Sequence, residues 1–306
     1  VILLAVAGYL VVQYVTGGTG GPGCKVVSGK GDGASYEFTP EQAVNAATIT
    51  AVGTGRGLPE RAVTIALATA LQESALRNIS HGDRDSLGLF QQRPSQGWGT
   101  PKEIMDPSYS AGEFYDHLVK VPGYTRLPLT VAAQRVQRSG FPQAYAKHEP
   151  DAALLAAALT GQSAATLTCE GRPAATRATG PDGVRAALVR DFGRDVLVPA
   201  GAQAGGSSAA TPAPSPSGSG GSGGRTVTLP VTEDTGSATG RDAGRRGWQL
   251  AHWAVANASE LHIARVTYAG REWVAGNTAS EWRAASAKGT AGGERDTDAV
   301  RIVTMR

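Results

Sequence analysis

Residues 201–224, GAQAGGSSAATPAPSPSGSGGSGG, offer no apolar face that a core could bury. Such a run stays a flexible linker, and as a random coil its 24 residues span roughly 25–30 Å. It therefore divides the chain into a longer upstream unit (residues 36–200) and a shorter downstream one (residues 225–306). The expected fold class is multidomain: a mainly α unit, the linker, then a small α+β unit. The formal net charge of the whole chain is +3, and it has no Lys/Arg run. That balance argues against a nucleic-acid partner. A mildly basic surface is compatible with an acidic polymer.

The opening stretch, VILLAVAGYLVVQYV, is almost wholly apolar. It is shorter than the roughly 20 residues that span a bilayer. We read residues 1–16 as the outer part of a membrane anchor or signal segment, because GGTGGPG follows at once and a glycine spacer detaches a span from a domain. Residues 17–35 are read as that spacer. The two cysteines, Cys24 and Cys169, are expected to bridge outside the cytoplasm. In the chain-entropy model, closing so long a loop contributes up to about 5 kcal/mol. Two cysteines and five scattered histidines make no four-ligand zinc site, so no metal or cofactor is expected.

From Tyr36 onward the pattern is helical. Thr39 caps a helix with Pro40 at its first position, and Pro59 opens a second. Asp106-Pro107 precedes a segment with an apolar stripe at Phe114, Tyr115 and Leu118. Further helices are expected at 129–138, 151–160 and 182–193. Beyond the linker, RTVTLPV alternates as a strand and GWQLAHWAVANASEL reads as an amphipathic helix. HIARVTYAG and REWVA form a hairpin that turns at Ala269-Gly270, and residues 299–305 form a last strand.

The second helix carries the chemistry. From Ala62 to Leu71 it has no charge, so it is expected to be buried all round, with Ala62, Ala66 and Ala70 as a small-residue stripe. Glu73 ends that run and faces a polar loop. Burial and the negative end of the helix dipole both disfavour an ionised carboxylate there. A Glu that holds its proton is what general-acid attack on a glycosidic oxygen needs. The bland reading is a solvated Glu, or one paired with Arg77.

Fifteen residues after Glu73 comes Gly88, within SLGLFQQRP. Glu73-Ser74 followed by Ser86-Leu87-Gly88-Leu89-Phe90-Gln91 resembles the lysozyme-like lytic transglycosylase superfamily, most closely its actinobacterial secreted branch, over roughly residues 36–170. The family's third motif, of Tyr-Asn-Ala-Gly type, is absent as such. The comparable region is AAQRVQRSGFPQAYA, where Gln137 or Tyr145 stands in.

The resemblance implies cleavage of the β-1,4 bond between N-acetylmuramic acid and N-acetylglucosamine in peptidoglycan, outside the cytoplasm. Glu73 would serve as acid and then as base. Ser74, Ser86, Gly88, Gln91, Gln137 and Tyr145 would line the glycan cleft. Trp98 either stacks on a sugar or plugs the core edge. A hydrolytic muramidase would need a second carboxylate, and Asp83 and Asp85 are the local candidates. A third reading is a murein-binding scaffold that kept the fold.

The downstream unit resembles a degenerate zinc peptidase domain of the D-Ala-D-Ala carboxypeptidase type. Ala299 and Arg301 stand where ligands would fall, and Asp242 lies upstream without a His. This unit is read as non-catalytic, with Trp248, Trp253, Trp273 and Trp282 in its core.

Overall fold

Thr39 starts the helical body with a reciprocal cap. Its hydroxyl accepts from the Gln42 amide at 3.3 Å, and the Gln42 side chain accepts from the Thr39 amide at 2.7 Å. The computed structural model describes residues 23–141, 143–197, 224–231, 243–276, 281–285 and 299–306. The expected anchor at 1–16, nearly all of the linker, and Asp242 lie outside the described residues. Among the described residues no helix is long and apolar enough to cross a membrane.

The helices are α1 (Pro40–Gly55), α2 (Glu60–Ser74), α3 (Pro101–Ile104), α4 (Pro107–Leu118), α5 (Leu129–Gln137), α6 (Glu149–Leu159), α7 (Gly180–Phe192) and α8 (Ala243–Ala256). Asp106 caps α4 by accepting from the amides of Ser108 and Tyr109. Phe114, Tyr115 and Leu118 on α4 are fully buried, as their spacing predicts. The centre of the body is α2, buried continuously from Ala62 to Leu71. Each buried Ile or Leu there contributes roughly 1.5–3 kcal/mol. The threonines on its apolar surface turn inward. Thr64 donates to the carbonyl of Glu60, and Thr69 to that of Ile65, so neither hydroxyl is left without an acceptor.

Two antiparallel sheets complete the fold. The first is three-stranded, in the order β2-β1-β3, with β1 Cys24–Val27, β2 Ser35–Phe38 and β3 Leu167–Cys169. Cys24 lies opposite Cys169 in that sheet, and the two form a disulfide. Strand β1 and the start of β2 fall within 17–35, which the glycine content marks as spacer. The correction has a physical reason. CKVV is too short to declare itself locally, and its partner β3 and the disulfide come from far along the chain. The second sheet is five-stranded, in the order β4-β8-β5-β6-β7, with β4 Thr226–Pro230, β5 Ile263–Tyr268, β6 Arg271–Val274, β7 Arg283–Ala284 and β8 Ala299–Thr304. The β5–β6 turn has φ 49° at Ala269 and 68° at Gly270, the backbone sign a tight hairpin requires.

The linker implies two separate bodies, but the described residues share one core. Helix α8 is buried all round from Gly247 to Ala256, so its own sheet cannot cover it alone. The upstream unit covers the rest. The indole N–H of Trp253 donates to Asp191 at 2.8 Å, and that of Trp273 to the Cys169 carbonyl at 3.0 Å. The Trp282 indole reaches the Leu167 carbonyl at 2.9 Å, and Gln249 donates to the Thr54 hydroxyl at 2.6 Å. All four tryptophans of this region are buried. The indole N–H groups of Trp253, Trp273 and Trp282 find acceptors across the junction, which satisfies them and fixes the register of contact.

Candidate functional site

Helix α2 does not fray beyond Glu73. It ends in two successive left-handed residues, Ala75 at φ 53° and Leu76 at φ 58°. The Ala75 amide donates to the Leu71 carbonyl, and the Leu76 amide to that of Ala70, a paired closure of the last turn. Left-handed backbone is strained without glycine. Two amides from α1 hold it: Gln42 donates to the Ala75 carbonyl and Asn45 to the Leu76 carbonyl, each at 2.8 Å. Glu73 therefore projects from a fixed helix end.

Glu73 is half-buried, less sheltered than the greasy helix behind it suggests. Its Oε1 accepts a hydrogen bond of 2.7 Å from the hydroxyl of Tyr145. Tyr145 is fully buried. Burial pushes its phenol well above the ordinary tyrosine value. A hydrogen bond with Ser139 opposes this, and the neighbouring Glu73 charge adds to it. The hydroxyl thus stays protonated and remains a donor. Among the described residues Glu73 makes no ion pair, and Arg77 is exposed. Beside it on α2, Gln72 Oε1 lies 3.2 Å from His148 Nε2.

The second motif is drawn onto this helix end. The Ser74 hydroxyl donates to the carbonyls of Ala70 and Leu89, at 3.1 and 2.8 Å. Gln137 Nε2 donates to the Phe90 carbonyl at 2.8 Å. Both side chains were candidates to touch glycan. The Ser74 hydroxyl and the Gln137 amide nitrogen tie the loop to α2 and α5. Leu87 and Gln92 exchange both backbone hydrogen bonds, which closes a tight loop over Gly88 to Gln91.

Gly88 is needed there twice over. Its φ is +76°, and a Cβ would lie 2.7 Å from the Ile104 carbonyl oxygen. Gln91 has φ 48° and folds its side-chain amide back to the Gly88 carbonyl at 3.2 Å. Ser86 is buried at the base of the loop, its amide on the Asp83 carbonyl. Trp98 is half-buried and packs on His117 of α4, with ring centroids 4.1 Å apart. The structure thus joins Glu73 directly to Tyr145 and brings the Ser74, Gly88 and Gln137 region against that helix end. Trp98 is held on α4.

The candidate second carboxylates are otherwise engaged or exposed. Asp85 binds Arg93 at 2.7 Å and accepts from the Ser95 amide at 2.8 Å. The Ser95 amide, then Arg93, hold it well below the usual carboxylate range. Asp83 is almost fully exposed beside Arg84. No group of His, Cys, Asp and Glu among the described residues could hold a metal ion. A cavity of about 200 Å³ lies at the opposite end of α2 from Glu73, lined by Thr54, Leu58, Glu60, Thr160, Gln162 and Arg245, with Pro59.

Gln42, Asn45 and Ser139 escaped the sequence reading. Asn45 within an apolar α1 was the one available signal, since a buried amide must find a partner.

Residues 204–294 are similar to the family model described as VldE, C-terminal domain. The matched segment covers less than a third of the chain and begins inside the low-complexity linker. No match to a curated protein is found.

Proposed function

We propose that this chain is a peptidoglycan-cleaving lytic transglycosylase with a lysozyme-like upstream unit, and that Glu73 is its single acid and base. The observation that carries the reading is the Tyr145–Glu73 hydrogen bond. Tyr145 is the residue that the resemblance offers in place of the third motif, and it contacts the side chain that the first motif singles out.

The chemistry follows from that pair. Protonated Glu73 gives its proton to the bridging oxygen between the two sugars, and the bond from that oxygen to the muramyl C1 breaks. The charge that develops on the sugar is offset by the carboxylate left behind. Tyr145 keeps donating to Oε1, which steadies the carboxylate and fixes its orientation. In this account Oε2, which the Tyr145 bond does not engage, is the oxygen that acts on the substrate. The carboxylate then takes the proton of the muramyl C6 hydroxyl, whose oxygen closes on C1 as a 1,6-anhydro ring. No water is consumed. The engagement of Asp85 by Arg93 and Ser95 favours this route over hydrolysis, which requires a carboxylate available to water or to C1.

The disulfide supports an extracytoplasmic setting, with glycan strands as partner and the N-terminal segment as a membrane tether. The downstream unit is non-catalytic in this account. Ala299 and Arg301 lie on β8, and neither is an imidazole or thiolate ligand of a zinc site. Purified chain should release soluble fragments from murein, and Glu73→Gln should release none while retaining its melting temperature. Binding without release by the parent chain would favour the scaffold reading.

A further inference from the structure

Phe141 is 79% exposed, against 47% for Val119 and 39% for Val27, the other exposed large apolar residues among those described. Its backbone is nonetheless held. Helix α5 stops at Arg138 with φ 51°, and Gln134 donates to the Ser139 carbonyl at 2.8 Å. The Ser139 hydroxyl accepts from the Phe141 amide at 3.2 Å, and the Phe141 carbonyl accepts from Ala144 at 3.0 Å. Both polar backbone groups of Phe141 are therefore satisfied while its ring has no cover. An aromatic ring left in water on a hydrogen-bonded stretch of backbone forgoes burial that a bound apolar surface would supply.

The position of the turn suggests what covers it. Ser139, whose hydroxyl holds the Phe141 amide, lies six residues before Tyr145, and Tyr145 donates to Glu73. Between Ser139 and Tyr145, a Cβ at Gly140 would meet nothing within 4 Å, so the chain faces open space at that residue. The exposed ring thus stands four residues before Tyr145 in the chain, and Tyr145 contacts Glu73. Resting on that reading of Glu73, we propose that Phe141 is a platform on which a sugar ring of the glycan strand stacks while the strand lies over Glu73. A pyranose presents an apolar C–H face of ring size, which suits an uncharged aromatic surface beside an acid that acts on the sugar's polar edge.

The test separates binding from cleavage. In the full chain carrying Glu73→Gln, titration calorimetry with stem-peptide-free glycan strands measures affinity alone. Adding Phe141→Ala should weaken binding about fivefold to tenfold, and Phe141→Trp should restore it. With Glu73 intact, Phe141→Ala should raise KM by a similar factor and leave kcat within about twofold. Its melting temperature should match the parent's, since the residue is 79% exposed. Equal affinity and equal KM for Phe141→Ala would overturn the platform while leaving the reaction assignment standing. Phe141-dependent binding by a parent chain that never cleaves would support the platform and sink the reaction assignment instead.

Discussion

The Tyr145 hydroxyl lies 2.7 Å from Glu73 Oε1 although 72 positions separate the two residues in the chain. A buried phenol donating to a half-buried carboxylate is a positioning contact: it fixes Oε1. Tyr145→Phe removes that donor with little change in volume. A hydrogen bond to a charged group contributes about 1.5–3 kcal/mol, so kcat for murein cleavage should fall about tenfold to a hundredfold, with KM nearly unchanged. Steady-state kinetics on the Phe variant, with circular dichroism to confirm its fold, checks this.

Gly88 closes the loop that Ser74 and Gln137 hold against α2. Gly88→Ala places a Cβ 2.7 Å from the Ile104 carbonyl oxygen on a backbone of positive φ. A loss of about 2 kcal/mol or more is expected from strain and overpacking together. Urea unfolding monitored by tryptophan fluorescence measures it, and a change under about 0.5 kcal/mol would show that the loop accommodates the methyl.

The helices were legible because their ends are written locally: Thr39 with Pro40, and Asp106 with Pro107. The β5–β6 hairpin was legible in Ala269-Gly270 for the same reason. The three-stranded sheet was not, because β1 and β2 are four residues each and are paired by register and disulfide rather than by pattern. The junction with the downstream unit was hidden for a related reason. Trp253, Trp273 and Trp282 announce burial but not which carbonyl or carboxylate receives each indole N–H. At the site, Glu73 stood out by its place at the end of an uncharged run. The linear motif did not show that Ser74 and Gln137 tie the loop, since that depends on where their hydroxyl and amide groups point.

His252 makes the junction pH-sensitive. Its Nε2 accepts from the Thr166 amide at 3.2 Å, and Nδ1 donates to the Ala158 carbonyl at 2.7 Å, so the folded state holds it neutral. Burial pushes it down from 6.5 to about 4, with the Ala158 bond opposing. Between these values the unfolded chain binds the extra proton and the folded chain does not. The His252 contribution is therefore complete above about pH 6.5 and is lost as pH falls toward 4, by about 3 kcal/mol at most. His252→Gln should flatten the stability slope between pH 6.5 and 4 in paired urea titrations. An identical slope in both chains would refute it.

The Cys24–Cys169 bond pins β1 to β3 across 145 positions. Cys24→Ser with Cys169→Ser should lower stability by about 2–5 kcal/mol, and the intact chain should show no free thiol on labelling under denaturing, non-reducing conditions. Two labelled thiols in chain purified from an oxidising compartment would contradict the bridge.

The most direct measurement is the mass of the products formed from murein in water enriched in heavy oxygen. Glu73 acting alone, with the C6 hydroxyl as nucleophile, predicts 1,6-anhydro-muropeptides that are lighter by one water than hydrolysis products, carry no heavy oxygen, and vanish in Glu73→Gln. Reducing-end products that carry the label, or fragments that persist without Glu73, would contradict the account.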